Sequence, residues 1–228
     1  GLFALPTTIN NVETLASVPH ILHRGGEWYK GLCLSNPKST GTKLISVCGH
    51  VQRPGNYEIT MGTPMKDLIF DMCGGMKPGR TLKAVIPGGS SVPIMTAAET
   101  EDCLLDYEGV VARGSMLGSA GMIVMDDSTD MVYQIWRLAR FYAHESCAQC
   151  TQCREGTAWT TKILERILAG KGKAADLDLL LSLSENMTGK TICVLSDSCA
   201  APIVSGIAKF RSEFDAYLSG ARQPALAM

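Results

Sequence analysis

The sequence predicts an α+β fold in which a β-grasp unit, a small sheet covered by one helix, is followed by a bundle of four helices. Residues 42–126 support the first part, because short apolar and β-branched stretches alternate there with turns that contain Pro and Gly. Residues 128–218 support the second part, because their apolar residues recur at helical spacing. We therefore expect three regions, which are 1–41, 42–127 and 128–228.

The first region begins with the turn-prone stretch PTTINN and continues as a helix. Val12, Leu15 and Ala16 recur at helical spacing, and Gly25-Gly26 interrupts the series. In the second region, KLISVCGHV, LKAVIPGG and GMIVMD are predicted strands, and RPGNYEI is a turn followed by a strand. TPMKDLIFDMCGG is predicted to be a short amphipathic helix that Gly74-Gly75 ends.

Four amphipathic helices are predicted in the third region, in TDMVYQIWRLARFYAHES, TAWTTKILERILAG, AADLDLLLSLSENMTG and APIVSGIAKFRSEFDAYL. Ser128 or Thr129 is expected to cap the first helix, and Gly170 and Gly189 to end the second and third. Pro202 is expected in the first turn of the fourth, where its missing N–H is not needed. The predicted core stripes are Val132, Ile135, Trp136, Ala139 and Tyr142; Trp159, Ile163 and Ile167; Val204, Ile207, Phe210, Phe214 and Tyr217.

The stretch HESCAQCTQCREGT holds three cysteines at a spacing of three residues, Cys147, Cys150 and Cys153. Thiolates this close together let a short loop surround one metal centre, while the intervening backbone amides point at the sulfurs. This pattern is typical of iron–sulfur clusters, which need four thiolates. Cys193, just before the last predicted helix, is the best candidate for the fourth ligand, and Cys199 is its competitor.

Three other interpretations of the cysteines stay open at this point. A structural zinc site is one, although two separate CxxC pairs are more usual there. A redox-active dithiol is another, although it favours one isolated CxxC in a βαβ setting. The third is a group of buried thiols without a metal. The scattered Cys33, Cys48, Cys73 and Cys103 are expected to be small core residues.

Composition excludes several classes of protein. The net charge of −1 gives no electrostatic basis for binding nucleic acid. No run of about 18 apolar residues occurs, so no direct insertion into a membrane is expected. The nine cysteines are odd in number and partly clustered, which favours a reducing compartment over a secreted disulfide scaffold.

The chain resembles a known family along nearly its whole length. ESCAQCTQCREGT resembles the ESCGxCxPCRxGT signature of the NADH-binding flavoprotein subunit of respiratory complex I, with Ala148 and Gln152 in place of the usual Gly and Pro. PTTINNVETLASVP and GKTICVLSDS resemble that family's P-T-x-x-N-N-V-E-T-L segment and the stretch with its fourth cysteine. SVCGHVQRPGNYEI, LKAVIPGGSSVP and GSMLGSAGMIVMD resemble its soluble-ligand-binding β-grasp domain. The same module occurs in NAD-reducing hydrogenases and NAD-linked formate dehydrogenases.

The resemblance implies a set of cofactors and of residues that hold them. A 4Fe-4S cluster would be held by Cys147, Cys150, Cys153 and Cys193. Flavin mononucleotide (FMN) would be contacted by Asn10 and Asn11, whose amides can both donate and accept. Residues 1–41 would then be the end of a flavin-binding domain, 42–127 the β-grasp domain and 128–228 the cluster-bearing bundle.

The implied function is that of an electron-entry module in an enzyme, the flavoprotein subunit of an NADH dehydrogenase (quinone). NADH, the substrate, would give electrons to FMN, and these would pass to the 4Fe-4S cluster and on to partner iron–sulfur subunits. The family's flavin and NADH domain precedes the NNVET segment, and no G-x-G-x-x-G loop occurs here, so that domain is expected as a partner and no catalytic residue is expected in this chain. The implied location is peripheral, on the cytoplasmic side of the bacterial inner membrane or the mitochondrial matrix side.

Two alternatives accompany this interpretation. One is the diaphorase part of a soluble NAD-reducing hydrogenase or formate dehydrogenase. The other belongs to a different class: a β-grasp binding module whose helical bundle is held together by zinc and which has no redox activity.

Overall fold

The computed structural model describes residues 1–34 and 38–226 and shows a mixed α/β architecture, which confirms the predicted class in that coarse form. The first part is mainly helical: a 3-10 turn (Leu2–Ala4) precedes α1 (Val12–Arg24) and α2 (Gly26–Lys30). The strands and short helices that follow are β1 (Thr42–Gly49), β2 (Gly55–Thr60), β3 (Thr63–Pro64), a π-helix (Asp67–Met72), β4 (Leu82–Ile86), β5 (Met95–Thr96), α3 (Ala97–Thr100), β6 (Leu104–Leu105), α4 (Tyr107–Ala112) and β7 (Gly121–Asp126). We call residues 42–126 the sheet unit.

The main sheet of the sheet unit has five strands in the order β2-β1-β7-β4-β5. β1 and β7 are parallel, and the other neighbours are antiparallel. β3 and β6 form a separate two-stranded ladder. The four predicted strands are therefore confirmed, and the predicted amphipathic helix is present in π form, with Leu68 and Ile69 buried.

The second part of the chain consists of α5 (Met131–Glu145), α6 (Thr151–Leu168), α7 (Ala175–Met187), α8 (Leu195–Lys209) and α9 (Arg211–Leu218), which we call the helical unit. α5 packs against α6 and α8, and α7 packs against the same two helices. The predicted stripe of α5 is buried in full. Among the described residues, no helix combines the length and the hydropathy that a membrane-spanning segment requires.

The sheet unit and the helical unit are packed together through β4. Val85 belongs to the hydrophobic core of the sheet unit, whereas Ala84 and Ile86 belong to the core of the helical unit. Successive residues of a strand point to opposite faces, so one strand contributes to both cores. Lys209 of α8 strengthens this contact, because its Nζ donates to the Ile94 carbonyl and to Glu99, each at 2.8 Å.

Several predictions about the helices are wrong in detail. Asp130 caps α5, by accepting a hydrogen bond from the Tyr133 N–H at 3.1 Å, in place of Ser128 or Thr129. The last predicted helix begins earlier, at Leu195, so Pro202 lies inside α8. The predicted helix is also divided in two: α8 ends at Lys209, and the non-helical Phe210, with φ of −122° and ψ of 31°, separates it from α9.

Two residues of the predicted core stripes are partly exposed. Trp159 is 51% exposed and lines a shallow groove with Leu179 and Leu183, between α6 and α7. Val204 is 42% exposed and faces a cleft between α8 and the sheet unit. Helical spacing predicts a shared face, but it does not show how much of that face the neighbouring elements cover.

Candidate metal centre

The three clustered cysteines lie at the junction of α5 and α6. Cys147 is in the connecting loop and exposed, Cys150 is the N-cap residue of α6, and Cys153 is in the first turn of α6 and only 8% exposed. A helix N-terminus carries partial positive charge and unpaired N–H groups, both of which stabilise thiolates. The N-terminus of α6 therefore presents backbone N–H donors beside Cys150 and Cys153.

The conformation of the cysteine loop depends on Ala148. Its φ of 63° lies in the left-handed region, where a residue with a Cβ is strained by about 1–2 kcal/mol. Three side-chain contacts hold the loop: Arg154 Nη1 donates to the Ala148 carbonyl at 2.9 Å, the Ala148 N–H donates to Ser146 Oγ at 3.3 Å, and Ser146 Oγ lies 3.3 Å from Cys153 Sγ. The usual glycine of the resembled signature would adopt this φ without strain.

The segment with Cys193 lies against this loop. The backbone N–H of Ile192 donates to Cys150 Sγ at 3.4 Å, and Cys193 itself is exposed. Thr191 fixes the segment, since its Oγ1 donates to the Cys193 carbonyl at 2.7 Å and lies 2.7 Å from Ser196 Oγ. α8 begins two residues after Cys193, so the N-terminus of a second helix directly follows this segment.

Cys199, the competitor for the fourth position, has a different environment. It lies within α8 and is fully buried in the core of the helical unit. Burial, with a smaller contribution from nearby Cys153, raises the pKa of the Cys199 thiol to about 12. Of the two candidates for the fourth ligand, Cys193 is exposed and lies next to Ile192, which contacts Cys150, whereas Cys199 is buried in the core.

The two cysteine segments are brought together, but the four sulfurs are not gathered into a finished site. As the side chains stand in residues 1–34 and 38–226, no three His, Cys, Asp or Glu side chains could hold a metal ion. The donor chemistry nevertheless fits an iron–sulfur cluster: thiols on two adjoining segments, two helix N-termini and a backbone amide already directed at a sulfur.

The predicted flavin contacts, Asn10 and Asn11, are exposed at the start of α1. Asn11 has a structural role there, because its Oδ1 accepts from the Thr14 N–H at 3.0 Å and caps the helix. The N-cap preference for Asn before an apolar helical series is a signal that could have predicted this role. Glu13 was missed as well: it accepts hydrogen bonds from Lys43 and from the Leu44 N–H in β1.

Family models match two adjoining regions of the chain. Residues 133–217 match the NADH-ubiquinone oxidoreductase-F iron-sulfur binding region, and residues 43–133 match the SLBB domain. The first match contains all four proposed ligand cysteines, and the second covers the sheet unit almost completely. These matches show that the chain is similar to iron–sulfur subunits of oxidoreductases.

The predicted resemblance to the NADH-binding flavoprotein subunit of respiratory complex I is confirmed by its relatives. The F subunit of NADH-quinone oxidoreductase from Rickettsia bellii is 47% identical over 94% of this chain and 51% of its own length. One of the two corresponding proteins of Rhizobium meliloti is 48% identical over 94% of this chain and 49% of its own length. That of Streptomyces coelicolor is 47% identical over 96% of this chain and 48% of its own length. The chain spans about half the length of the curated relatives it matches.

Solved structures of an NAD+-reducing hydrogenase have a fold similar to that of this chain. The chain superposes on NAD+-reducing [NiFe]-hydrogenase in the H2-reduced state with a TM-score of 0.81 and 34% identity, over 96% of this chain and 36% of the other. Superposition on the same hydrogenase in the air-oxidised state gives a TM-score of 0.80 and 34% identity, over 98% of this chain and 37% of the other. The resemblance to the hydrogenase module is thus confirmed too.

Proposed function

We propose that the chain is the electron-relay part of the electron-entry module of an NADH:quinone oxidoreductase. Electrons from NADH would reach it through FMN, pass to a 4Fe-4S cluster held by Cys147, Cys150, Cys153 and Cys193, and leave for partner iron–sulfur subunits. The observation that carries this proposal is the hydrogen bond from the Ile192 amide to Cys150 Sγ, which brings together the two segments that hold the four cysteines. It lies within the region that matches an iron–sulfur binding family.

The chemistry of one-electron transfer would be supplied by the bound cluster. The residues of the chain would hold and tune it. The N-termini of α6 and α8 would stabilise the thiolates, and the Ile192 N–H would donate to one of them. Arg154 would fix the loop through the Ala148 carbonyl, while the burial of Cys153 keeps water from that sulfur.

The proposal also assigns each of the three regions of the chain to a domain. Residues 1–41 would be the end of a flavin-binding domain, 42–127 a β-grasp domain and 128–228 a four-helix bundle that carries the cluster. The five-stranded sheet and the SLBB match support the second assignment. The pairwise packing of α5, α6, α7 and α8 supports the third, with α9 as an additional short helix.

A flavin and NADH domain is the proposed partner of α1. No residue of α1 is buried, and its apolar side chains Val12 and Leu22 are about four-fifths exposed, at 79% and 80%. Ile9, directly before the proposed flavin contacts Asn10 and Asn11, is 91% exposed. Apolar surface of this extent is typical of a face that another domain covers. The assembly would be peripheral, on the cytoplasmic side of the bacterial inner membrane or the mitochondrial matrix side.

The second candidate function is the diaphorase part of an NAD-reducing hydrogenase, which the TM-score of 0.81 favours. Sequence identity favours the complex I form, at 47% against 34%. Midpoint potentials and the co-purifying subunits distinguish the two.

Anaerobic reconstitution with iron and sulfide, followed by metal analysis and EPR, tests the cluster. We expect about four irons per chain, their loss in Cys193→Ala, and their retention in Cys199→Ala. Cys48→Ala is the matched control, because Cys48 is also exposed but lies in β1. Colourless protein with one zinc per chain would support the zinc-binding alternative instead. Iron retained in Cys193→Ala but lost in Cys199→Ala would reassign the fourth ligand.

A further inference from the structure

Helix α1 is attached to the sheet unit in an unusual way for an amphipathic helix. None of its residues is buried, and none belongs to either hydrophobic core. Apolar packing therefore contributes little to holding α1 against the sheet. The orientation of α1 matters, because Asn11 is its N-cap residue and Asn10 directly precedes it.

Glu13 makes a polar connection between α1 and β1. Its Oε1 accepts a hydrogen bond from the Leu44 N–H at 2.7 Å, and its Oε2 pairs with Lys43 Nζ. The two side chains are only partly exposed, at 27% for Glu13 and 22% for Lys43, so water screens their charges less than it would on an open surface. Bonds from both an ammonium group and a backbone amide fix the carboxylate at two points.

Leu44 is paired with Glu58 of β2, but its N–H lies on the other edge of β1, the one at which the Ser46 N–H donates to the Ala120 carbonyl just before β7. β7 pairs with β1 only from Ser46 onward, so the Leu44 N–H lies beyond the end of that ladder. The Glu13 carboxylate is the acceptor of this amide in the structure. Burial alone would raise the pKa of Glu13, but the bonds from Lys43 and Leu44 hold it below the usual value, so the carboxylate is charged at neutral pH.

We propose that Glu13 is a positioning residue for the flavin site: by joining the first turn of α1 to Lys43 and Leu44 of β1, it fixes Asn10 and Asn11 relative to the sheet unit. Asn11 lies two residues before Glu13, and its capping bond to Thr14 spans the same turn. Movement at Glu13 would therefore be transmitted to both asparagines. This inference rests on the proposed contact of Asn10 and Asn11 with FMN.

The test compares FMN dissociation constants of holoenzyme variants, measured by flavin fluorescence at a temperature at which every variant is folded. We expect Glu13→Ala to weaken FMN binding about tenfold, the loss that one charge-assisted hydrogen bond accounts for. Glu13→Gln keeps an oxygen for Leu44 but loses the ion pair, so an intermediate value is expected. Glu27→Gln is the matched control, because Glu27 pairs with Lys30 on the exposed helix α2 and is 88% exposed.

Two further variants separate this inference from the function on which it rests. Asn10→Ala and Asn11→Ser remove the amides, and Ser at position 11 keeps an N-cap oxygen. If both weaken FMN binding while Glu13→Ala stays within about twofold of wild type, the flavin contact stands and the role of Glu13 is wrong. A lower melting temperature of Glu13→Ala with unchanged FMN affinity would show a purely structural role and overturn the proposal. If neither asparagine variant has an effect, the flavin contact itself is wrong, and the inference fails with it.

Discussion

The backbone amide of Ile192 donates a hydrogen bond to the sulfur of Cys150 at 3.4 Å. The bond joins the segment before α8 to the N-terminus of α6, two places that are far apart in the sequence. An N–H that is already directed at a sulfur stabilises negative charge on it. The segment with Cys193 is therefore part of the environment of the cysteine loop.

Thr191 is expected to keep this segment in place. Replacing it by the isosteric Val removes its bonds to the Cys193 carbonyl and to Ser196 Oγ, which should cost about 1 kcal/mol. We expect Thr191→Val to release iron to a chelator several times faster than the wild type. Ser198→Ala is the control, because the Ser198 hydroxyl donates to the carbonyl of Val194, the N-cap residue of α8, and makes no bond to Thr191 or Cys193 in the described contacts. Equal release rates for both variants would contradict a role of Thr191 in placing Cys193.

Arg154 combines a charge effect with a structural effect, and two substitutions separate them. Its Nε donates to Glu155 and its Nη1 to the Ala148 carbonyl, both at 2.9 Å. A positive charge next to the cluster favours the reduced state, so Arg154→Gln should lower the midpoint potential in an EPR-monitored titration. Arg154→Lys keeps the charge but not the planar fork, so it should preserve the potential while cluster loss becomes faster. A potential that Arg154→Gln leaves unchanged would exclude the charge effect.

Ala148→Gly should relieve the strain of the cysteine loop. Glycine adopts the φ of 63° freely, a gain of about 1–2 kcal/mol, but it adds about 0.5–1 kcal/mol of unfolded-state entropy. The expected net result is a small increase in melting temperature and slower loss of iron. Ala143→Gly in the last turn of α5 is the control and should lower stability, since no strain is relieved there. Destabilisation by Ala148→Gly would show that the loop adopts another conformation.

The fold was predictable where apolar residues repeat regularly. Val132, Ile135 and Trp136 predict the buried face of α5, and the structure buries them. The start of α8 was not predictable, because Pro202 is typical of a first helical turn, whereas the helix begins seven residues earlier, at Leu195. Packing in the helical unit outweighs the local preference of that proline.

The candidate site was predictable only in part. The spacing of Cys147, Cys150 and Cys153 is local and indicates a metal centre without a structure. The bond of the Ile192 amide to Cys150 and that of Glu13 to Leu44 join residues 42 and 31 positions apart. No periodicity or spacing encodes such contacts, since they depend on how whole elements pack.

Gly206 in α8 allows close approach of α5. A Cβ at this position would lie 2.2 Å from Ile135 Cδ1, so Gly206→Ala should destabilise the protein by about 1–3 kcal/mol despite the better helix propensity of alanine. Gly26→Ala in α2 is the control, because no atom lies within 4 Å of its Cβ. Urea denaturation measures both variants. Adding Ile135→Val to Gly206→Ala should recover part of the loss, and a failure to do so would contradict a clash at this contact.

The ion pair of Asp176 with Arg166 should make stability depend on pH at the acid end. Asp176 is 4% exposed and accepts from Arg166 Nε at 3.1 Å and from the Lys173 N–H at 2.9 Å. Burial would raise its pKa, but the bonds from Arg166 and Lys173 lower it below the usual value. A carboxyl whose pKa is lower in the folded state stabilises the protein above its unfolded pKa of about 3.9, and this contribution is lost as the pH falls through the folded value.

Asp176→Asn tests this dependence directly. The variant should lose about 2–3 kcal/mol at pH 7, because Arg166 keeps its charge without a charged partner, and the difference from wild type should shrink below about pH 4. Asp215→Asn is the matched control: it breaks the exposed pair with Arg211, with side chains 56% and 52% exposed, and should cost less than about 1 kcal/mol. Denaturation curves at pH 7 and pH 3 measure both. A deficit of Asp176→Asn that stays the same at pH 3 would mean that hydrogen bonding, rather than charge, stabilises this contact.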